Sequence, residues 1–201
     1  PADRPERPNV LLIGDSISIG YTVEIRKQLA SRADVFRIPT NGRDSAFGLE
    51  QLAGWLGSHQ WDVIHFNWGL WDICYRHPDS TVQGHRDKVN GTLTTSSADY
   101  RNNLERIVGL LETTNAKLIW AATTPVPDKE AGRIVGDEVK YNRIAAQIMA
   151  AHRITVDDLH THARLRLPEI QKAIGDVHFT PEGYAYLANQ VSLSISEQLN
   201  D

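Results

Sequence analysis

The sequence predicts an α/β protein: a three-layer α/β/α sandwich built on a five-stranded parallel sheet. Two patterns carry this expectation. Short apolar runs recur along the chain, and amphipathic stretches with apolar residues at helical spacing lie between them. A third observation sets the scale. The chain has 201 residues, 41% hydrophobic and 23% charged, which suits one globular domain with a sizeable core.

Residues 9–13 (NVLLI), 34–38 (DVFRI), 61–66 (WDVIHF), 117–122 (KLIWAA) and 154–156 (ITV) read as buried strands. Residues 17–30, 46–57, 98–114 and 136–152 read as helices. A last helix begins at Pro181, with Thr180 as N-cap and proline in the first helical position, and runs to about residue 199. Strands alternating with helices pair in parallel, covered on both faces. Ligands of such sheets bind beyond the carboxyl ends of the strands, so residues just after each strand are where chemistry is expected. Residues 1–8 (PADRPERP) read as a polar lead-in, and residues 9–201 as a single domain. The connection from 67 to about 97 is too long for an ordinary structureless loop. It is expected to form a substrate-facing lid bearing Trp68, Trp71, Tyr75, Arg76 and Arg86.

The formal net charge of −4 argues against a nucleic-acid partner or a polybasic membrane surface. No apolar run approaches the roughly 18 residues of a membrane span. A single cysteine, Cys74, excludes an intrachain disulfide framework and a cysteine-rich zinc site. A secreted or periplasmic location is expected over a cytoplasmic one. Oligomeric state is not indicated.

Gly14-Asp15-Ser16-Ile17-Ser18 follows the first strand and opens the first helix. A serine there sits where a helix N-terminus can stabilise an oxyanion. The plainer alternative is that Ser16 is only an N-cap. Asp15 reads as a brace for the turn. The Gly-x-Ser-x-Gly elbow would need glycine where Ser18 stands, and no dinucleotide or P-loop glycine pattern follows a strand. At the far end, Gly175-Asp176-Val177-His178-Phe179-Thr180-Pro181 puts a histidine just before the last helix. Neutral imidazole is a suitable base for a hydroxyl nucleophile, and Asp176 is the nearest carboxylate to fix its tautomer. His160 and His162 lack a third ligand for zinc. His65 reads as a core histidine, and Arg43 and Asp44 as lining the site or pairing with each other. Asn90-Gly91-Thr92 is a glycosylation sequon, meaningful only in a eukaryotic secretory route.

GDSIS near one end and DVHFTPEGY near the other together resemble the SGNH (GDSL-like) hydrolase superfamily, over about residues 9–199. The resemblance implies a flavodoxin-like sandwich and the hydrolysis of esters without a cofactor or metal. It implies Ser16 as nucleophile and first oxyanion donor, Gly42 as second donor and His178 as base. Thr123-Thr124-Pro125-Val126-Pro127 and Tyr141-Asn142 also have the family's look. Two departures stand out. The third block reads Gly69-Leu70-Trp71-Asp72, with tryptophan where the family has its donor asparagine, so Trp71 and Asn67 are joint candidates for that donor. The acid, Asp176, lies two residues before the histidine instead of three. The resulting expectation is a serine esterase removing a small, acetyl-like group from a polar substrate, with Trp68, Trp71 and Tyr75 facing a sugar or acyl chain. The alternatives are a catalytically weak glycan-binding module and a metal-dependent phosphoester hydrolase.

Overall fold

The computed structural model describes residues 6–200. In chain order its elements are β1 (Asn9–Ile13), α1 (Ser16–Gln28), β2 (Asp34–Arg37), α2 (Ser45–Leu56), β3 (Val63–Phe66), the short strands β4 (Tyr75–Arg76) and β5 (Thr92–Leu93), α3 (Ser97–Glu112), β6 (Lys117–Ala121), α4 (Asp137–His152), β7 (Thr155–Asp157), the short helices α5 (Leu159–Arg164) and α6 (Leu167–Ile170), and α7 (Pro181–Asn200). Five strands form a parallel sheet of order β2-β1-β3-β6-β7, as the alternating pattern predicts. Leu11 of β1 pairs with Phe36 on one side and Ile64 on the other. Element ends differ from the sequence expectation by one or two residues. The short helices α5 and α6 carry too few turns to show a helical period.

β2 lies on one side of β1, and β3, β6 and β7 follow on the other. The chain therefore reverses direction across the sheet at β1, and the crevice expected of such a fold opens at that strand's carboxyl end. Helix α1 packs against α7, while α2, α3 and α4 pack in series. Layers on both faces explain why every residue of β3 is buried and why its sequence shows no polar alternation.

Side-chain caps set the helix starts. Asp15 accepts from the Ile17 N–H at 2.9 Å, Asp44 from Phe47 at 3.1 Å and Ser96 from Asp99 at 3.1 Å. Thr180 Oγ1 accepts from Gly183 N–H at 3.0 Å, with Pro181 the first helical residue, as expected. Helices α1 and α7 lie side by side and run in the same direction. Gly20 faces the Tyr184 ring near one end. Gln28 meets Asn189 at 2.8 Å, and beyond α1 Arg32 meets Asn200 at 2.6 Å.

The connection between β3 and α3, expected to form a substrate-facing lid, is anchored and partly regular. Trp68, Leu70, Ile73 and Cys74 are buried and anchor it to the core. Buried Asp72 accepts from both the N–H and the hydroxyl of Ser45, at 2.9 and 2.6 Å, which ties the segment to the start of α2. Beyond it, β4 and β5 form an antiparallel ribbon. Tyr75 N–H donates to Gly132 O at 2.6 Å and Lys88 N–H to Ala131 O at 3.0 Å. The ribbon is thus a fixed rim. Of the polar lead-in, residues 1–5 lie outside the described residues. Arg7 is held near the sheet, its Nη2 donating to Ala30 O and Ala33 O at 2.7 and 2.8 Å.

Trp68 fills the space between β3 and α2, and a Cβ added at Gly48 would fall 2.3 Å from its indole nitrogen. Alanine at a helical glycine gains up to about 1 kcal/mol of propensity, but overpacking a closed core costs about 1–3 kcal/mol. Gly48→Ala is therefore expected to lower the unfolding free energy by about 1–2 kcal/mol, measured by urea denaturation.

Candidate active site

Ser16 is the first residue of α1, and Asp15 supplies the cap. The hydroxyl of Ser16 is not needed for capping, which removes the plainer reading of the sequence. Its Oγ lies 2.9 Å from His178 Nε2, although 162 residues separate the two in sequence. The side-by-side packing of α1 and α7 brings them together, because each residue sits at or just before the N-terminus of one helix.

His178 Nδ1 lies 2.6 Å from Asp176 Oδ1, and the same oxygen accepts from the His178 backbone N–H at 3.0 Å. That second bond explains how a spacing of two works. An aspartate closes an Asx turn onto the N–H two residues ahead, which places its carboxylate beside the ring of that same residue. Gly175 enters the turn at φ 76°, and a Cβ there would come within 2.7 Å of Lys129 O. Lys172 N–H donates to His178 O at 2.9 Å and Thr180 N–H to Ile170 O at 2.8 Å, closing the loop on both sides. Partial burial works against the charge on Asp176, but the His178 N–H and ring, helped by the charges of His178 and Lys172, outweigh it. The carboxyl is held below its usual range. Asp15 is shifted the other way, upward, chiefly by burial.

Ser16, His178 and Asp176 open into a cleft of about 450 Å³ that Asn41, Trp71 and Arg76 also line. This is ample for a sugar-sized ligand. Other expected site residues lie elsewhere. The N–H of Gly42 donates to Gly14 O at 2.9 Å, so in this geometry it is not open to an oxyanion. A Cβ at Gly42 would fall 2.8 Å from that oxygen, so close approach of two main chains accounts for the glycine. Asn67 turns its amide nitrogen to Ala121 O at 2.7 Å and Thr123 Oγ1 at 3.3 Å, and it lines a separate small void under α1. Trp68 is 1% exposed and donates to Gly42 O at 3.1 Å, which makes it a core residue. Tyr75 is part of the β4–β5 ribbon and does not line the cleft.

Sequence reasoning passed over the amide of Asn41. Its Oδ1 accepts from Arg43 N–H at 2.9 Å, which assigns Nδ2 as a donor within the cleft. It also passed over Arg133 and Lys172, which share the cleft with Arg76 and Arg86. His65 is a fully buried core residue 3.1 Å from Asp157. His162 stacks on Tyr186, and among the described residues no group of three metal-ligating side chains is found.

A parallel α/β sandwich with a serine and a histidine at the carboxyl edge of its sheet is the architecture of one class of ester hydrolases. The sequence profile of the GDSL-like Lipase/Acylhydrolase family matches residues 12–186, and the chain belongs to that family of carboxylic ester hydrolases. No curated protein sequence matches the chain. Among solved structures, the lipase/acylhydrolase from Enterococcus faecalis superposes with a TM-score of 0.76 at 19% identity, covering 94% of this chain and 96% of the other. The acetyl xylan esterase AlAXEase gives 0.73 at 15% identity, covering 93% and 99%. A variant of an acetyl xylan esterase from Geobacillus stearothermophilus gives 0.72 at 14%, covering 96% and 94%. At these identities the likeness is one of fold.

A carboxyl held low in the folded state stabilises the protein at pH values above its unfolded pKa, and that contribution is lost as pH falls through the folded value. Asp176→Asn is therefore expected to be less stable than the parent at pH 6. The gap should narrow as the pH drops below about 4. Chemical denaturation of both proteins from pH 6 to pH 3 checks this.

Proposed function

We propose that the protein is a serine esterase that removes a small, acetyl-like acyl group from a polar substrate of the carbohydrate kind. The observation that carries this is the continuous hydrogen-bond chain from Ser16 Oγ through His178 to Asp176 at the mouth of the cleft. In this reading His178 takes the Ser16 proton as Oγ attacks the ester carbonyl. Asp176 fixes the Nδ1–H tautomer and stabilises the imidazolium. Collapse of the tetrahedral intermediate breaks the bond to the alkoxide, which leaves with the proton from His178. Water, deprotonated by the same ring, then releases the acyl group from Ser16.

The oxyanion needs donors. Ser16 N–H, the first of α1, has no intrahelical acceptor and benefits from the helix dipole. Asn41 Nδ2 is the side-chain donor we assign, in the role the family gives to an asparagine where Trp71 stands here. The small acyl group is argued from the walls. A long chain needs an apolar channel, whereas Asn41, Arg76, Gln83 and Lys172 are polar. Two of the fold's structural neighbours are called acetyl xylan esterases, which points the same way. The non-catalytic binding reading finds no support in an intact serine–histidine–aspartate chain.

Hydrolysis of p-nitrophenyl acetate tests the proposal. Ser16→Ala is expected to lose about 10³-fold or more in kcat and to escape labelling by a fluorophosphonate that marks the parent. Equal rates in the two proteins would remove the serine mechanism. Asn41→Ala is expected to lose about 100- to 1,000-fold in kcat with KM little changed. A loss confined to KM would make Asn41 a substrate contact instead.

A further inference from the structure

We propose that the cleft selects an ester-bearing substrate that also carries an anionic group, a carboxylate or a sulfate, and that Arg76 receives it. This rests on the esterase reading and names its substrate class. The chain as a whole has a net charge of −4, yet Arg76, Arg86, Arg133 and Lys172 all line the one cleft that holds Ser16. The acids nearby are already engaged. Asp176 holds His178, and Asp15 caps α1. Fully buried Glu130 serves two guanidiniums at once, with its Oε1 2.6 Å from Arg86 Nη1 and 3.0 Å from Arg133 Nη1. One carboxylate between two arginines leaves a positive surplus. Among the described residues, no carboxylate lies within ion-pairing distance of Arg76 or Lys172.

Arg76 is also held in place. Its guanidinium carbon sits 4.5 Å from the centre of the Trp71 ring, and Nη1 donates to Gly84 O. Its Nε and Nη2 have no acceptor among the described residues. A planar fork fixed on two sides, with free donors facing a cleft, is preorganised for the paired oxygens of a carboxylate or sulfate. Partial burial costs such a cation part of its hydration and outweighs the help it gets from the charge of Asp44, which makes no contact pair with it. An anionic ligand would offset that cost. The tryptophan in the third block also gains a role. With Arg76 on its ring at 4.5 Å and Arg43 at 5.7 Å, Trp71 is a platform for cations rather than a bare surface for stacking a sugar.

The experiment compares three acetylated methyl glycosides that differ in charge: a neutral glucoside, a glucuronide and a glucoside 6-sulfate. In the parent, kcat/KM for one of the anionic esters is expected to exceed that for the neutral ester by about tenfold or more, and the ratio should shrink with added salt. Which anionic ester gives the larger ratio identifies the group. Arg76→Gln is expected to bring the ratio close to one. Lys172→Gln, an exposed position that folding tolerates, should lower it by a smaller factor. Equal rates on neutral and charged esters in the parent, or an anionic advantage that survives Arg76→Gln, would overturn the proposal. p-Nitrophenyl acetate is run on the same preparations. If the parent does not hydrolyse it, the serine reading fails, and the anion site is then read by calorimetric titration. A preference for the methyl glucuronide or the 6-sulfate over the neutral methyl glucoside, abolished in Arg76→Gln, supports the site, and equal binding removes it.

Discussion

The site exists because α1 and α7 lie against each other in the same direction. Ser16 begins one helix and His178 stands three residues before the other, so their separation is fixed by helix packing and not by any local turn. The seam includes small and polar groups. Gly20 leaves room for the Tyr184 ring, and Gln28 meets Asn189 lower down. Each helix start is then fixed by its own cap, Asp15 for α1 and Thr180 for α7. Two rigid rods with registered ends bring one hydroxyl and one imidazole to 2.9 Å, with no covalent link near either.

The sheet supplies the remaining constraint. Because β1 stands where the strand order reverses, the loop after it has helices on opposite faces to either side and is left open above. The close main-chain contact between Gly14 and Gly42 forms the floor of that opening. The same contact engages the Gly42 N–H, so in the proposed reaction the second oxyanion donor is a side chain.

Much of this was legible in the sequence, for identifiable reasons. Apolar runs such as Asn9–Ile13 and helical spacing are repeated signals, so the sandwich and its strands could be read directly. The two end motifs lie in short contiguous stretches, and of the three residues they singled out, Ser16 and Asp176 each lie within hydrogen-bonding distance of His178. What could not be read depends on where a polar atom turns. Asn67 and Trp68 follow a strand, as site residues do, but each finds a main-chain acceptor in the core. Arg76, Arg86, Arg133 and Lys172 come from three separate loops and share no spacing, so their convergence has no sequence signature.

The rim ribbon is fastened through its backbone. Tyr75 and Lys88 are attached to Gly132 and Ala131 through main-chain amides and carbonyls, which most residue types supply equally well. Apart from Arg86, whose guanidinium pairs with Glu130, the side chains that the ribbon turns toward the cleft are therefore largely released from the task of holding it to the rest of the molecule. Descendants of this gene can exchange them, and with them the kind of molecule admitted, while the hydrolytic apparatus below stays untouched. Divergence of taste without divergence of chemistry is built into the way this edge is stitched.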